Sequence, residues 1–80
     1  MYRPQLDSRE RTVLMLLGAG LTAKEVAARL TLKPRTAEGI IEVIHNKFGV
    51  DKTITAVILA ILEGHLTAEE ISHYIYGATR

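Results

Sequence analysis

One piece of punctuation recurs three times: a short polar residue, then glutamate three positions on, just ahead of an apolar stretch. It stands at Asp7 and Glu10 in "DSRE", at Thr22 and Glu25 in "TAKE", and at Thr67 and Glu70 in "TAEE". At this spacing the first side chain accepts from the backbone N–H three residues on, and the glutamate reaches back to the first residue's own N–H. The pair closes the start of an α-helix. Three such starts in 80 residues leave little room for a sheet, and no alternating apolar run lies between turn dipeptides. The chain is expected to be all-α and to form a single domain over residues 1–80.

The helices follow from apolar spacing between these starts. Val13, Leu14 and Leu17 share one face of a first helix over 8–18, which Gly18 and Gly20 stop. Val26, Ala27 and Leu30 mark a second over about 23–30. Pro34 suits the first position of a third, since its missing N–H costs nothing there. That helix runs over about 34–47 with Ala37, Ile40, Ile41, Ile44 and Phe48 apolar, and Gly49 ends it. Asp51 or Thr53 can cap a fourth, "TITAVILAILEG", in which only Thr55 is polar between Ile54 and Leu62. A helix apolar all round is expected to be buried on more than one side. Its second cover is helix 5, another subunit, or both. A short fifth helix spans about 68–76, with Ile71, Tyr74 and Ile75 as its stripe. "LLGAGLTAKEVAARL" and "ILEGHLTAEEISHYI" also align without gaps at an offset of 45. The two helix–helix corners are therefore expected to meet at similar angles.

Composition excludes several classes. The chain is 48% hydrophobic and 24% charged, which argues against disorder. It has no cysteine, hence neither a disulfide framework nor a Cys-based zinc site. His45, His65 and His73 are too scattered to replace one. No apolar run is long enough to span a membrane, and the start lacks a signal region, so a cytoplasmic protein is expected. "GAGLTAK" matches a dinucleotide pattern but follows a helix rather than a strand. Ser72 and His73 are adjacent on a helix and do not face each other. No enzyme chemistry, cofactor or metal is expected. Residues 1–52 hold nine Lys/Arg against six Asp/Glu, and residues 53–80 one against three. A basic front and an acidic back suit one anionic contact surface.

The order of "RE", "VL", "LL", "GL", "KE", "A", "RL", "L", "T", "KFGV" and "AV" through residues 6–66 resembles the LuxR/GerE-type helix-turn-helix domain. The resemblance implies a four-helix core over 6–64, here with the added fifth helix. It also implies binding of double-stranded DNA, often as a dimer through the last helix of the core, and transcriptional control. Helix 3 would enter the major groove. Val13, Leu14, Leu17, Leu21, Val26, Leu30, Leu32, Ile41, Ile44, Phe48, Val50 and Val57 match the family's apolar pattern. Thr22 and Lys24 match its phosphate-contacting start of helix 2, and Arg35, Thr36, Lys47 and Lys52 match further polar or basic positions. The reading helix departs from the pattern. Where the family has Lys this chain has Glu38, followed by Gly39. A basic or polar site one turn on is Glu42, the family's His is Ile40, and the helix 3 cap is Lys33 rather than Ser.

Two functions follow from this. In the first, the chain is a stand-alone DNA-binding regulator. Arg35, Thr36, Glu38, Gly39 and Glu42 face bases, while Thr22, Lys24, Arg29, Lys33, Lys47 and Lys52 hold phosphates. Ile40, if it lies beside that face rather than in the core, and Val43 suit thymine methyls. In the second, the scaffold has become a protein-binding modulator of another regulator. A glutamate about 5 Å from a phosphate costs on the order of 1–2 kcal/mol at an effective dielectric of about 40. Two of them lower affinity roughly 10²-fold, yet glutamate can accept from cytosine N4. Independently, the apolar girth of helix 4 predicts a homodimer through Ile54, Ile58, Ile61 and Leu62.

Overall fold

A computed structural model describes residues 5–78 as five helices: α1 (Ser8–Gly18), α2 (Ala23–Arg29), α3 (Pro34–Phe48), α4 (Thr53–Leu62) and α5 (Ala68–Ala78). No strand occurs among the described residues. All three capping boxes form. Asp7 Oδ1 accepts from the Glu10 N–H at 2.7 Å, and Glu10 Oε1 accepts from the Asp7 N–H at 3.0 Å. The corresponding bonds are 3.2 and 2.9 Å at Thr22 and Glu25, and 3.1 and 3.0 Å at Thr67 and Glu70.

α1 is the hub. Val13, Leu14, Met15 and Leu16 are all buried, and each of the other four helices packs against α1. Gly18 is the last residue of α1 rather than its stop. A Cβ there would lie 3.2 Å from Val57 and 3.3 Å from Ile71, so its bare Cα lets α4 and α5 close on α1. The left-handed residue after α1 is Gly20, with φ +98°. All twelve family-pattern apolar residues lie in the core or pack against it.

α2 and α3 form the bihelical corner. Leu30 caps α2, and Thr31 then takes φ +56°, a left-handed conformation that disfavours a β-branched residue. The turn is held by the Leu32 N–H donating to the Ala27 carbonyl at 2.8 Å, and Leu32 packs on the core. Pro34 occupies the first turn of α3, with Lys33 as an N-cap that makes no side-chain bond. At the far end Gly49 adopts φ +68°, and the Val50 N–H reaches the His45 carbonyl at 3.0 Å.

Two expectations need correction. Neither Asp51 nor Thr53 caps α4. Lys52 holds the N-cap position without a side-chain bond, and the Thr53 hydroxyl is instead hydrogen-bonded to His45 Nε2 at 3.0 Å. Within the chain itself α4 is covered on one side only, so α5 is not its second cover. α4 lays Ala56, Val57 and Ala60 inward and leaves Ile54, Ile58 and Leu62 at 68%, 50% and 75% exposure, with Ile61 half-buried. The reason is the course of α5, which folds back along α1 instead of covering α4. There Arg11 pairs with Glu70 and donates through Nε to the His65 carbonyl at 3.0 Å. The two corners repeat the capping box but differ in the turn that precedes it. The left-handed glycine is Gly20 in the first and Gly64 in the second, one position earlier in the aligned frame. The second connection therefore holds one more residue between that glycine and the next cap.

Candidate nucleic-acid interface

α3 sorts its residues by face. Ala37, Ile40 and Ile44 point inward and are buried, with Ile41 and Phe48 half-buried beside them. At about 3.6 residues per turn, Arg35, Gly39, Glu42, Val43 and Asn46 fall on the opposite side, flanked by Glu38 and Thr36. Each of these seven is exposed. Ile40 is only 8% exposed and packs in the core, so it is not part of the outer face. Val43 is 43% exposed. Asn46 was not singled out in the sequence. Its spacing of four from Glu42 and seven from Gly39 was the signal that puts it on the same stripe.

Thr22, Lys24, Arg29, Lys33 and Lys52 are also exposed. Thr22 is engaged in its capping box, where its backbone N–H and then its hydroxyl hold the Glu25 carboxyl below the ordinary carboxylate value. Lys47 differs from the other cations. Its ammonium donates to Glu10 Oε1 at 2.7 Å and to the Gln5 carbonyl at 2.9 Å. Glu10 is 8% exposed, so this cation neutralises a nearly buried carboxylate that also caps α1. The charge of Lys47 is thereby committed to the scaffold.

Glu38 and Glu42 make no ion pair among the described residues. They stand one turn apart, where like charges on a helix repel. Gly39 between them has ordinary helical φ, and a Cβ added to it would meet nothing within 4 Å. Nothing in the chain's own packing calls for glycine there, although glycine costs a helix interior about 1 kcal/mol relative to alanine.

Among the described residues no cluster of His or acidic side chains could hold a metal ion. No described helix is long and apolar enough to cross a membrane.

Comparison with known proteins bears on the family to which this fold belongs. The chain is 34% identical over 65 residues to the transcriptional regulatory protein YdfI of Bacillus subtilis (strain 168). That match covers 81% of this chain and 30% of the relative, so the chain spans under a third of the relative's length. The family model for bacterial regulatory proteins of the luxR family (GerE) matches residues 4–60, from the segment leading into α1 to near the end of α4. With that match laid over a five-helix fold and its exposed α3, the chain belongs to the luxR family of bacterial regulatory proteins.

Proposed function

We infer that this chain binds double-stranded DNA as the reading domain of a transcriptional regulator, with α3 in the major groove. The observation that carries the reading is the continuous exposed stripe Arg35–Gly39–Glu42–Val43–Asn46 on a helix whose other side is locked into the core. A major groove admits one α-helix, and base edges are read by polar side chains along its outward face. Arg35 suits guanine O6 and N7, Asn46 suits adenine N6 and N7, and Val43 suits a thymine methyl. Lys24, Arg29, Lys33 and Lys52 supply the phosphate contacts that fix register without specifying sequence. Lys47 contributes indirectly, by anchoring the C-terminal end of α3 to α1 through Glu10.

The same proposal includes a homodimer through α4. Its support is the exposed row Ile54, Ile58 and Leu62, with Ile61 at its edge. Beside it lies an open apolar groove of about 470 Å³ lined by Leu17, Leu21, Ile54, Val57 and Ile58. Exposed large aliphatics in one contiguous row are a hallmark of an association surface. Pairing through α4 would present two α3 helices to successive turns of a duplex.

The test is a mobility-shift titration with mixed-sequence duplex DNA at low salt. A shift that weakens steeply with added salt is expected. Absence of any shift at high micromolar protein overturns DNA binding and leaves the protein-modulator role as the use of this face. Sedimentation at high protein concentration tests the dimer, and a monomer there removes it.

A further inference from the structure

We propose that Gly39 and Glu42 add a specificity of their own to the reading helix, a preference for cytosine. Gly39 admits the closest approach of a base-pair edge to the α3 backbone, and Glu42 accepts a hydrogen bond from a cytosine N4 amino group. This rests on the DNA-binding reading and goes beyond it, because it names the base and the residues that select it.

An ionised glutamate only accepts hydrogen bonds. Against a duplex it is repelled by every phosphate and by the guanine O6 and N7, adenine N7 and thymine O4 acceptors of the major groove. Two donors remain, cytosine N4 and adenine N6. Adenine N6 sits beside the N7 acceptor of the same base, whereas cytosine offers its donor without that neighbour. Glu42 lies near the middle of the outer stripe, between Arg35 and Asn46, so in a groove-bound pose it faces base edges rather than the backbone walls. Glu38 lies toward the flank. No cation of the chain neutralises either carboxylate among the described residues. Each therefore disfavours non-specific, phosphate-tracking binding, and Glu42 recovers affinity only where cytosine is presented.

Gly39 supplies the second, independent observation. It lies three residues before Glu42, in open space, with no left-handed backbone and no close packing to justify it. A bare Cα on the exposed face of an interior turn weakens the helix, and close contact with an outside body gives it a use. Approach at that point brings the short Glu42 side chain within reach of the base edge.

The experiment is selection from a pool of randomised duplexes at low salt by the wild-type chain and by the Glu42→Gln and Gly39→Ala variants, with circular dichroism to verify folding. The wild type is expected to enrich a motif with a fixed cytosine, and replacing that base should lower affinity about 5- to 100-fold. Glu42→Gln should lose the cytosine preference or exchange it for adenine, since glutamine pairs with adenine N6 and N7. Gly39→Ala should weaken binding to the motif while raising the melting temperature. A motif without cytosine, an unchanged motif for Glu42→Gln, or full affinity for Gly39→Ala each overturns the proposal and leaves DNA binding standing. If the wild type shifts mixed-sequence duplex but enriches no motif, the specificity proposal fails and DNA binding stands; if it neither shifts nor enriches any duplex, both fail.

Discussion

α1 carries Arg9, Glu10, Arg11 and Thr12 in its first turns, yet four consecutive residues, Val13 to Leu16, are buried. α4 has one polar side chain between Ile54 and Leu62, yet Ile54, Ile58 and Leu62 stand in solvent. Apolar composition thus does not measure how deeply a helix sits. Position in the fold decides that: α1 is enclosed by four helices, while α4 rests on its neighbours by the small residues Ala56 and Ala60 and by Val57. In α1 the two charged groups that are not fully exposed are matched. Glu10 meets Lys47 and Arg11 meets Glu70, so polarity survives in an enclosed helix by finding partners. In α4 the apolar side chains exceed what the chain itself covers, which is the support for the proposed dimer.

The largest expected break in this contrast is Leu14→Ala, a cavity in the wholly buried hub. A loss of about 2–5 kcal/mol in a urea melt is expected. A smaller loss, under about 1 kcal/mol, would mean that α1 is not the enclosed element. Lys47→Met comes next. It leaves the nearly buried Glu10 carboxylate without its cation and should cost about 1–3 kcal/mol. The exposed Lys24→Met control should stay within about 0.5 kcal/mol. Equal effects for the two lysines would show that Lys47 is an ordinary surface cation.

On α4, Ile54→Glu together with Leu62→Glu should change the stability of the monomer by no more than about 0.5 kcal/mol. The same pair should abolish self-association in sedimentation. A large loss of stability without change in association would mean that the row is covered within the chain.

The smallest effect concerns acid. Arg11 is the main cause holding the Glu70 carboxyl below its ordinary value of 4.5, against an opposing desolvation, with Thr67 adding to the depression. A depressed carboxylate contributes stability that is present above pH 4.5 and is lost as pH falls through its lower folded value. Glu70→Gln should flatten the acid limb of the stability profile in that window, while the neutral plateau drops slightly. An unchanged acid limb would remove the Arg11 tie as a stabiliser of α5.

What could be read directly from the residues was local. The capping boxes at Asp7, Thr22 and Thr67 and the left-handed Gly49 set helix boundaries from contacts three to five residues apart, and these stand in the structure. The apolar positions of α1, α2 and α3 found their core by period alone. The ties between elements could not be seen, because Lys47 to Glu10 and Arg11 to Glu70 join residues 37 and 59 positions apart. The role of Gly18 was hidden for the same reason, since its neighbours Val57 and Ile71 belong to α4 and α5. Glu38, Gly39 and Glu42 were legible as departures on the outer face of α3. The Lys47 contact was not, and it separates that lysine from the other candidate phosphate binders.

The lysine that reaches from the last turn of α3 to Glu10 and the Gln5 carbonyl ties two distant helix ends together. Fraying at the beginning of α1 and movement of the end of α3 are then expected to be coupled. Amide hydrogen exchange should reveal this as matched protection of the two segments, rising or falling together whenever either is disturbed.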